Sequence, residues 1–600
     1  MKIDEAFAEV NDYGIFQKIA LPFLGISGAF HGMQTSSANF ISGQPERWCK
    51  IEQLQNFSYQ QQKNIAIPYN SEGDYDNCNA FNLQWDDFTL EDFVNWNRSE
   101  YIDTPTVPCD EFVYSKDIFS ETSISKWDLV CSEAFLGEMI STFYVVGLFL
   151  GSSFSGRISD MLGRKTVING LAFLTVIALF AAAFVPNAIA FLMLRLLIGF
   201  STRGFTVSAT VLMLEIAGPK QRELAGTLTP GSFSFGVMIC SGCAYALRDF
   251  QYLHIVMAGF AFSYFLVTLL MPESPRWLLA KGKVEKAEKT MKWIGKVNNK
   301  PLPEDFQLTY KEATADGKKE KMSYFDIFRD PVLRKHILIL HFLWIAGNFS
   351  YTALSLNIGS LSGSTYVNVF LSGATELPAQ IACLLCMRYL GRKKAYFIFA
   401  AIFVGGNAAA IPMELIPSLR VGASICTIIA RAGASTLTSI TQTITAELFP
   451  TAVRQTVLGL TIGIAAAVGI SGPYLGGTLK ETFRPLPNII YGSLGAVAIV
   501  LAMFLPETMG QGLPDTVEEA INIGKRRSKK SESSESSVPS VSGSIQKIGE
   551  MEMKDCVEVD PESQIDGLPN KAYEADDNEP TSDFCGNTDS ITDYTYVVHL

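Results

Sequence analysis

A small set of acids and arginines occurs twice in the chain, in the same order. Glu215 and Glu447 lie 232 residues apart, and each is followed seven residues later by an arginine. Such residues at helix ends can form ion pairs that hold two helix bundles together and break when a pathway opens between them. The predicted gating residues are Asp160, Gly163, Arg164, Glu215, Arg222, Glu273, Arg276, Gly391, Arg392, Glu447, Arg454 and Glu507.

Two of these residues are glycines. Gly163 and Gly391 are expected to form tight turns between paired helices. A simpler interpretation of the charges is that they anchor helix ends and set the topology of a membrane protein. Duplication of the whole pattern favours gating, and it predicts a chain made of two homologous halves.

Long apolar blocks must position these charges. Only 18% of the residues are charged, and the mean hydropathy is +0.19. We predict an all-α membrane protein with two six-helix bundles, in preference to apolar helices buried in a large soluble enzyme. The twelve predicted spans lie near residues 17–40, 134–156, 166–186, 188–213, 226–248, 251–271, 337–360, 364–388, 394–412, 416–442, 456–479 and 486–506.

The distribution of basic residues predicts the orientation. The segment between spans six and seven is rich in lysine and arginine, which favours the cytoplasmic side. The predicted divisions are a cytoplasmic amino terminus 1–16, a first half 17–271 with an extracellular loop 41–133, a cytoplasmic linker 272–336, a second half 337–506 and a cytoplasmic, largely disordered tail 507–600.

The loop between spans one and two has the features of an extracellular segment. It is acidic and contains four cysteines and two N-glycosylation sequons, as expected of an oxidising compartment. Four cysteines allow three disulfide pairings, and the sequence does not choose among them. The predicted disulfide cysteines are Cys49, Cys78, Cys109 and Cys131, and the predicted glycosylation sites are Asn56 and Asn97.

Several motifs resemble those of a known transporter family. The segment 156–165 is similar to the signature of the major facilitator superfamily. The segment 272–278 narrows the resemblance to fewer families within that superfamily. With 127–131, 447–456 and 505–514, the chain resembles solute carrier family 22, whose members carry organic cations, anions and zwitterions. The resemblance implies the major facilitator fold and a small organic ion as substrate. We also expect the protein to lie in the lipid bilayer of the plasma membrane and to need no cofactor.

Substrate recognition is expected to use polar and aromatic residues within spans, because a charge at membrane depth needs a cavity or a partner. Arg203 is the predicted contact for a negative group of the solute, and Glu376 for a positive one. Arg195 and Arg431 take similar places in spans four and ten, which indicates a shared packing or gating role. The predicted substrate-binding residues are Arg203, Trp344, Asn348, Phe349, Tyr351, Glu376 and Gln380.

The residues of span seven in this set share part of one helical face, where aromatic rings can hold a cation or an apolar solute body. Aromatic residues in membrane helices also serve simply for packing or face lipid. By resemblance, anion carriers have a lysine where this chain has Gln380 and an arginine where it has Ala466, whereas cation carriers have an aspartate at the latter. Arg203 and Glu376 together suit a zwitterion such as carnitine.

The remaining sequence predicts few other functions. We expect neither an enzyme nor a nucleic-acid-binding protein, because no nucleophile–base pair, phosphate-binding loop or metal cluster stands out. A hexose carrier of the sugar-porter type and a non-transporting surface receptor or adhesion protein remain as alternatives. A basic amphipathic helix is expected over 281–298, along the membrane surface. The terminal residues 598–600 could bind a PDZ domain, which is a common chance match.

Overall fold

The computed structural model of the chain consists almost entirely of α-helices. Two predicted gating side chains, those of Arg222 and Arg454, lie outside the described part, as do the predicted carboxyl-terminal PDZ motif and most of the tail. The structure describes residues 3–11, 13–69, 75–101, 103–218, 221–308, 327–472, 483–510, 514 and 517–523.

The amino-terminal segment leads into a broken first span. A short helix precedes the span, and the break falls at Ile26, whose backbone N–H donates to the carbonyl oxygen of Pro22 at 3.0 Å. Pro22 lies inside α2, four residues before this break, and removes one backbone donor from the helix. The helices are α1 (Ile3–Glu9), α2 (Ile15–Gly25) and α3 (Ser27–Ile41).

The loop after α3 folds into a small disulfide-bonded unit. Disulfide bonds join Cys49 to Cys109 and Cys78 to Cys131, which selects one of the three possible pairings. Trp48, fully buried, lies in the small hydrophobic core of this unit. Its elements are β1 (Arg47–Cys49), paired with β4 (Phe112–Tyr114), β2 (Asn79–Phe81), paired with β3 (Thr106–Pro108), and helices α4 (Tyr59–Ala66), α5 (Leu90–Val94) and α6 (Ser123–Lys126).

Five continuous spans complete the first half. Polar caps fix where two of them begin: the side chain of Asn187 accepts from the backbone N–H of Ala190 at 2.8 Å, and Asp249 accepts from Gln251 at 2.7 Å. The spans are α7 (Ala134–Leu162), α8 (Arg164–Phe184), α9 (Ala188–Ile216), α10 (Arg222–Leu247) and α11 (Phe250–Thr268).

Two further helices, α12 (Pro275–Ala280) and α13 (Val284–Val297), follow the sixth span. The apolar side of α13 is buried at Met291, and the ring of Trp293 packs edge-on against Phe16 at 5.4 Å. The Asn298 side chain then donates to the backbone of Val10 and accepts from the backbone of Phe16. This helix therefore packs against the amino-terminal segment, while Trp293 remains 43% exposed. The place of this helix along the membrane surface stays a prediction.

The second half repeats the six-span arrangement. Its first helix is capped by Asp330, whose carboxylate accepts from two backbone N–H groups, at 2.8 and 2.9 Å. The spans are α14 (Pro331–Leu356), α15 (Thr365–Tyr389), α16 (Arg392–Leu415), α17 (Arg420–Leu448), α18 (Thr451–Gly469) and α19 (Leu486–Ala502), and a short α20 (Val517–Ile521) follows.

Within the described residues, nine helices have the length and hydropathy needed to cross a membrane. Two shorter apolar helices, in α18 and α19, and the broken first span make up the twelve predicted spans. One large apolar core lies mainly in the first half and extends to Leu356 and Val369 of the second, and another lies within the second half. The halves meet where α10 packs on α15, α7 on α18 and α3 on α14.

Candidate translocation site and its charged clusters

The first charged cluster lies at the junction of α7, α8 and α9. Arg164 forms ion pairs with Asp160 at 2.6 Å and with Glu215 at 2.9 Å. The carboxylate of Glu273 accepts from the backbone N–H groups of Arg164 and Lys165, at 2.9 and 3.2 Å. Because these N–H groups begin α8, Glu273 acts as a cap from a different part of the chain.

The second half builds nearly the same cluster. Arg392 pairs with Glu447 at 2.6 Å, and Glu507 accepts from the backbone N–H groups of Arg392 and Lys393, each at 3.0 Å. One acid is missing, because Arg388 stands where the first half has Asp160. The hydroxyl of Thr508 instead adds a 2.6 Å hydrogen bond to Glu447.

The two predicted turn glycines are required by backbone geometry. Gly163 has φ +107° and Gly391 has φ +95°, in a region that side-chain-bearing residues rarely adopt. A Cβ atom at Gly391 would also lie 2.8 Å from the carboxylate of Glu507. The glycines thus allow each capping acid to reach the start of the next helix.

Every ion pair described in these clusters joins helices of one half. Arg276, likewise, donates from Nε to the backbone carbonyl of Glu215, at 3.0 Å, within the first half. The expected ion pairs between the halves are therefore not among the described contacts at this end of the helices. Here the clusters fix the relative positions of neighbouring spans.

Contacts between the halves occur instead at the end that carries the disulfide-bonded loop. The Asn39 side chain donates to the carbonyl of Ser355 at 3.0 Å and accepts from the backbone of Gly359 at 2.8 Å. The hydroxyl of Ser241 donates to the carbonyl of Tyr366 at 2.6 Å. The halves are thus hydrogen-bonded together at the loop end, by uncharged residues that the sequence analysis did not identify.

Arg203 lies in α9 on the side that faces the second half. It is partly exposed, and it lies within electrostatic range of Tyr144 in the first half and Tyr351 in the second. His31, in α3, lies in the same neighbourhood. Among the described residues, no acid or other acceptor lies within hydrogen-bonding distance of Arg203. The interior thus presents a positive charge between the halves.

Glu376, the predicted contact for a positive group, already has a partner. Arg431 forms an ion pair with it at 3.1 Å, and the side chains of the pair are only 2% and 5% exposed. Tyr351 donates to the same carboxylate at 3.2 Å, and Ser435 donates to it as well. Arg431 also donates to Ser355 and to the carbonyl of Ser372. A cationic solute would have to displace Arg431 to reach this acid.

Gln380 extends the same network by one helical turn. Its amide N–H donates to Ser435 at 2.9 Å, and its carbonyl oxygen accepts from Ser439 at 3.2 Å. These contacts join α15 to α17. Gln380 therefore lies beside the Glu376 pair, where we predicted a substrate contact, and its amide is occupied by neighbouring hydroxyls.

The four predicted residues of α14 do not act as one group. Trp344 donates to Thr445 at 3.1 Å, and Phe349 packs in the core of the second half, with its ring 6.1 Å from that of Tyr491. Asn348 accepts from Thr352. Of the four, Tyr351 is the one in contact with both halves, because its ring also lies 6.3 Å from that of Phe233 in α10.

The pairing of Arg431 with Glu376, which the sequence analysis did not predict, has a recognisable signal in the sequence. Arg431 and Glu376 are opposite charges at membrane depth, and forming an ion pair lowers the free-energy cost of placing both of them there. Arg195 and Arg431, however, are one helical turn out of register, since Arg195 precedes its helix-end glutamate by 20 residues and Arg431 by 16. They therefore do not share one structural role.

Comparisons with known proteins agree with this architecture. The family model "Sugar (and other) transporter" matches residues 86–519. The beta-alanine transporter of Drosophila melanogaster is 28% identical over 550 residues, which cover 86% of this chain and 89% of that protein. Solute carrier family 22 member 6-A of Xenopus laevis is 30% identical over 512 residues, covering 83% of this chain and 90% of that protein.

A solved structure shows the same fold. The inward-open xylose transporter XylE from E. coli superimposes with a TM-score of 0.52 at 14% identity, covering 83% of this chain and 98% of that one. The fold is that of the major facilitator superfamily. Its relatives are transporters and not enzymes. The chain belongs to solute carrier family 22 of the major facilitator superfamily and is a secondary transporter in the membrane.

Proposed function

We propose that the protein carries small organic ions that bear a carboxylate, either anions or zwitterions, by alternating access. The observation that supports this is Arg203, a partly exposed guanidinium between the halves with no acceptor among the described residues. A positive charge in such an interior attracts an anionic group. Glu376 is neutralised by Arg431, which disfavours a solute that is only a cation.

The aromatic residues near Arg203 would hold the rest of the solute. Tyr351 and Phe233 bring rings from opposite halves to within 6.3 Å, and His31 packs against Phe233 at 5.2 Å. Aromatic faces attract an ammonium group and also bury apolar surface. A zwitterion such as carnitine or β-alanine is therefore a reasonable solute, and the latter is the named substrate of one Drosophila relative.

Alternating access would require the two ends to open in turn. The loop end has hydrogen bonds between halves, through Asn39 and Ser241, and these would break when the pathway opens there. The charged clusters at the opposite end would keep the short connections rigid while the halves move. We propose this positioning role for the predicted gating residues. The gating contact itself would form between halves in the other conformation.

We further propose that the protein lies in the plasma membrane with both termini in the cytoplasm. The disulfide-bonded loop would then be extracellular and glycosylated, because Asn56 and Asn97 are both exposed. A third sequon, at Asn348, lies within α14 beside the fully buried Ser350 and would remain unmodified.

The test is uptake of labelled β-alanine, carnitine, benzoate, tetraethylammonium and glucose by cells that express the wild type, Arg203→Ala or Arg203→Lys. We expect uptake of one or more carboxylate-bearing solutes. Arg203→Ala should reduce it at least tenfold at unchanged surface expression, with partial retention in Arg203→Lys because the charge persists. Uptake of tetraethylammonium alone would overturn the charge assignment. Uptake of glucose alone would favour the sugar-porter alternative.

A further inference from the structure

The helix α13, in the segment that joins the two halves, carries an exposed row of basic residues. Four exposed residues follow one another at intervals of three or four positions: Lys286, Lys289, Trp293 and Lys296. Residues at this spacing lie along one side of an α-helix. These four residues form a continuous surface, which we call the basic face of α13.

The opposite side of α13 attaches the helix to the protein. Ala287, Met291 and Ile294 are fully buried there. Successive residues of an α-helix are rotated by about 100°, which places these three about 150° around the helix from the middle of the basic face. The basic face therefore points away from the part of the protein on which α13 packs.

The charge of the basic face is not matched within the described part of the chain. None of its lysine ammonium groups forms a hydrogen bond or an ion pair with a described residue. One exposed acid, Glu285, borders the face, whereas Glu288 accepts from the backbone N–H of Leu308 at 2.8 Å. The net positive charge of the face is therefore available to an anionic surface outside the protein.

Trp293 indicates the height of this face relative to the membrane. Its ring packs edge-on against Phe16 at 5.4 Å, and Phe16 lies in the first turn of α2. Ile15 and Ile19, in the same part of α2, are exposed, as expected of side chains that face lipid at the start of a span. Tryptophan is enriched at the boundary between lipid headgroups and hydrocarbon. The basic face therefore borders the lipid-facing surface where the first span begins.

We propose that the basic face of α13 binds the anionic headgroups of phospholipids in the adjoining leaflet. Lysine side chains are long enough to reach the phosphates while Trp293 lies at the boundary beside them. In the orientation proposed above this is the cytoplasmic leaflet, which carries the anionic lipids of a cell membrane. Bound lipid would hold the segment between the halves at the membrane. The proposal specifies both the face and the lipid, and it does not depend on which solute is carried.

The test measures quenching of Trp293 fluorescence by brominated lipids. Full-length protein is placed in two nanodisc preparations that have the same mixture of phosphatidylserine and phosphatidylcholine and differ only in which lipid carries bromine. The contribution of Trp293 is the difference between the protein with and without Trp293→Phe. We expect brominated phosphatidylserine to quench it about twofold more strongly per lipid, because the lysines enrich the anionic lipid. Salt at about 1 M should remove this preference.

Substitutions of the three lysines test the cause of the preference. The triple variant Lys286→Gln, Lys289→Gln and Lys296→Gln should lose the preference for phosphatidylserine. Arginine at the same three positions should retain it, because the charge persists. All six side chains of these variants lie on an exposed face, so both proteins are expected to fold, and each is measured with and without Trp293→Phe.

A matched control removes three exposed charges elsewhere. Arg334→Gln, Arg388→Gln and Lys394→Gln together change the second half and should leave the quenching of Trp293 unchanged. Equal quenching by the two lipids in the wild type would overturn the proposal and would favour an acidic protein as the partner of the basic face. A preference that survives the glutamine variant would also overturn it. Quenching requires no solute, whereas the transport function is read from uptake, so either proposal can fail alone.

Discussion

Each half contains a buried arginine, and the contacts of that arginine differ between the two halves. In the second half, Arg431 pairs with Glu376 at 3.1 Å and donates to surrounding hydroxyls and carbonyls. In the first half, Arg195 is fully buried, lies 4.7 Å from the centre of the Tyr144 ring, and has no acceptor for any of its three nitrogens among the described residues. Homologous helices therefore do not guarantee homologous electrostatics.

The difference in register explains the contrast. The residue of α17 that corresponds to Arg195 is Thr427, whose hydroxyl donates to the backbone carbonyl of Ala423. A guanidinium in the first half thus corresponds to a small, locally hydrogen-bonded hydroxyl in the second. In turn, Gly199 occupies the place in α9 that corresponds to Arg431, where α9 packs closely on α7.

The largest expected effect is that of Glu376→Ala. This change leaves Arg431 buried without its carboxylate, at a cost of about 3–5 kcal/mol of stability. We expect a large fall in melting temperature, measured by fluorescence-detected size-exclusion chromatography after heating. The double variant Glu376→Met with Arg431→Met should recover most of the loss. A double variant as unstable as the single one would contradict the coupling of the pair.

A smaller effect, of opposite tendency, is expected for Arg195→Met. The change removes a desolvated cation–π contact worth about 2 kcal/mol or more, but it also removes the larger cost of burying an unpaired charge. We expect a melting temperature equal to or above that of the wild type. A fall as large as that of Glu376→Ala would mean that Arg195 has a strong partner, and the contrast between the halves would disappear.

The capping segments provide a third comparison. Ser274 accepts from the backbone N–H of Trp277 at 3.2 Å and begins α12, whereas Thr508 donates to Glu447. Ser274→Ala should cost about 1 kcal/mol through the lost cap, and Thr508→Val about 1 kcal/mol through the lost hydrogen bond. The melting temperatures of both variants, compared with that of the wild type, measure these losses of stability. The effects should add in the double variant, because the residues lie in different halves.

The smallest effects concern the acid that only the first half has. The Asp160 side chain is 69% exposed, so Asp160→Asn should cost only about 0.3–0.5 kcal/mol. Arg388→Asp would install the missing acid four residues before Arg392 and should stabilise the second half by a similar amount. High salt should erase both differences in melting temperature. A persistent effect in high salt would indicate a role other than ion pairing.

Much of this architecture is predictable from the sequence, since it depends on local signals. The length of the apolar blocks predicts the spans, and the duplicated charges predict the helix-end clusters, whose members Arg164 and Glu215 do meet. The pairing of Arg431 with Glu376 depends on how α15 packs against α17, which no local pattern specifies. The same applies to the disulfide pairing, because three arrangements satisfy the same four cysteines.

The sequence predicted which residues lie at the candidate site better than it predicted what each of them does there. Arg203 was expected to face a solute because a mid-span charge needs a cavity, and the structure gives it no described acceptor. Glu376 was expected to bind a positive group of the solute, yet its charge is matched within the protein. Tyr351 was identified with three neighbours on α14, and only the helix packing distinguishes it from Trp344 and Phe349.

The hydrogen bonds of Asn298 have a consequence for the order of synthesis. The side chain of this residue joins the backbone at Val10 and Phe16 to the end of α13. Because Asn298 precedes the first helix of the second half, the ribosome has made all the residues of these hydrogen bonds before any second-half span is synthesised. The contacts between the two ends of the first half can therefore form during translation. The folded first bundle can then provide the surface against which the second bundle packs.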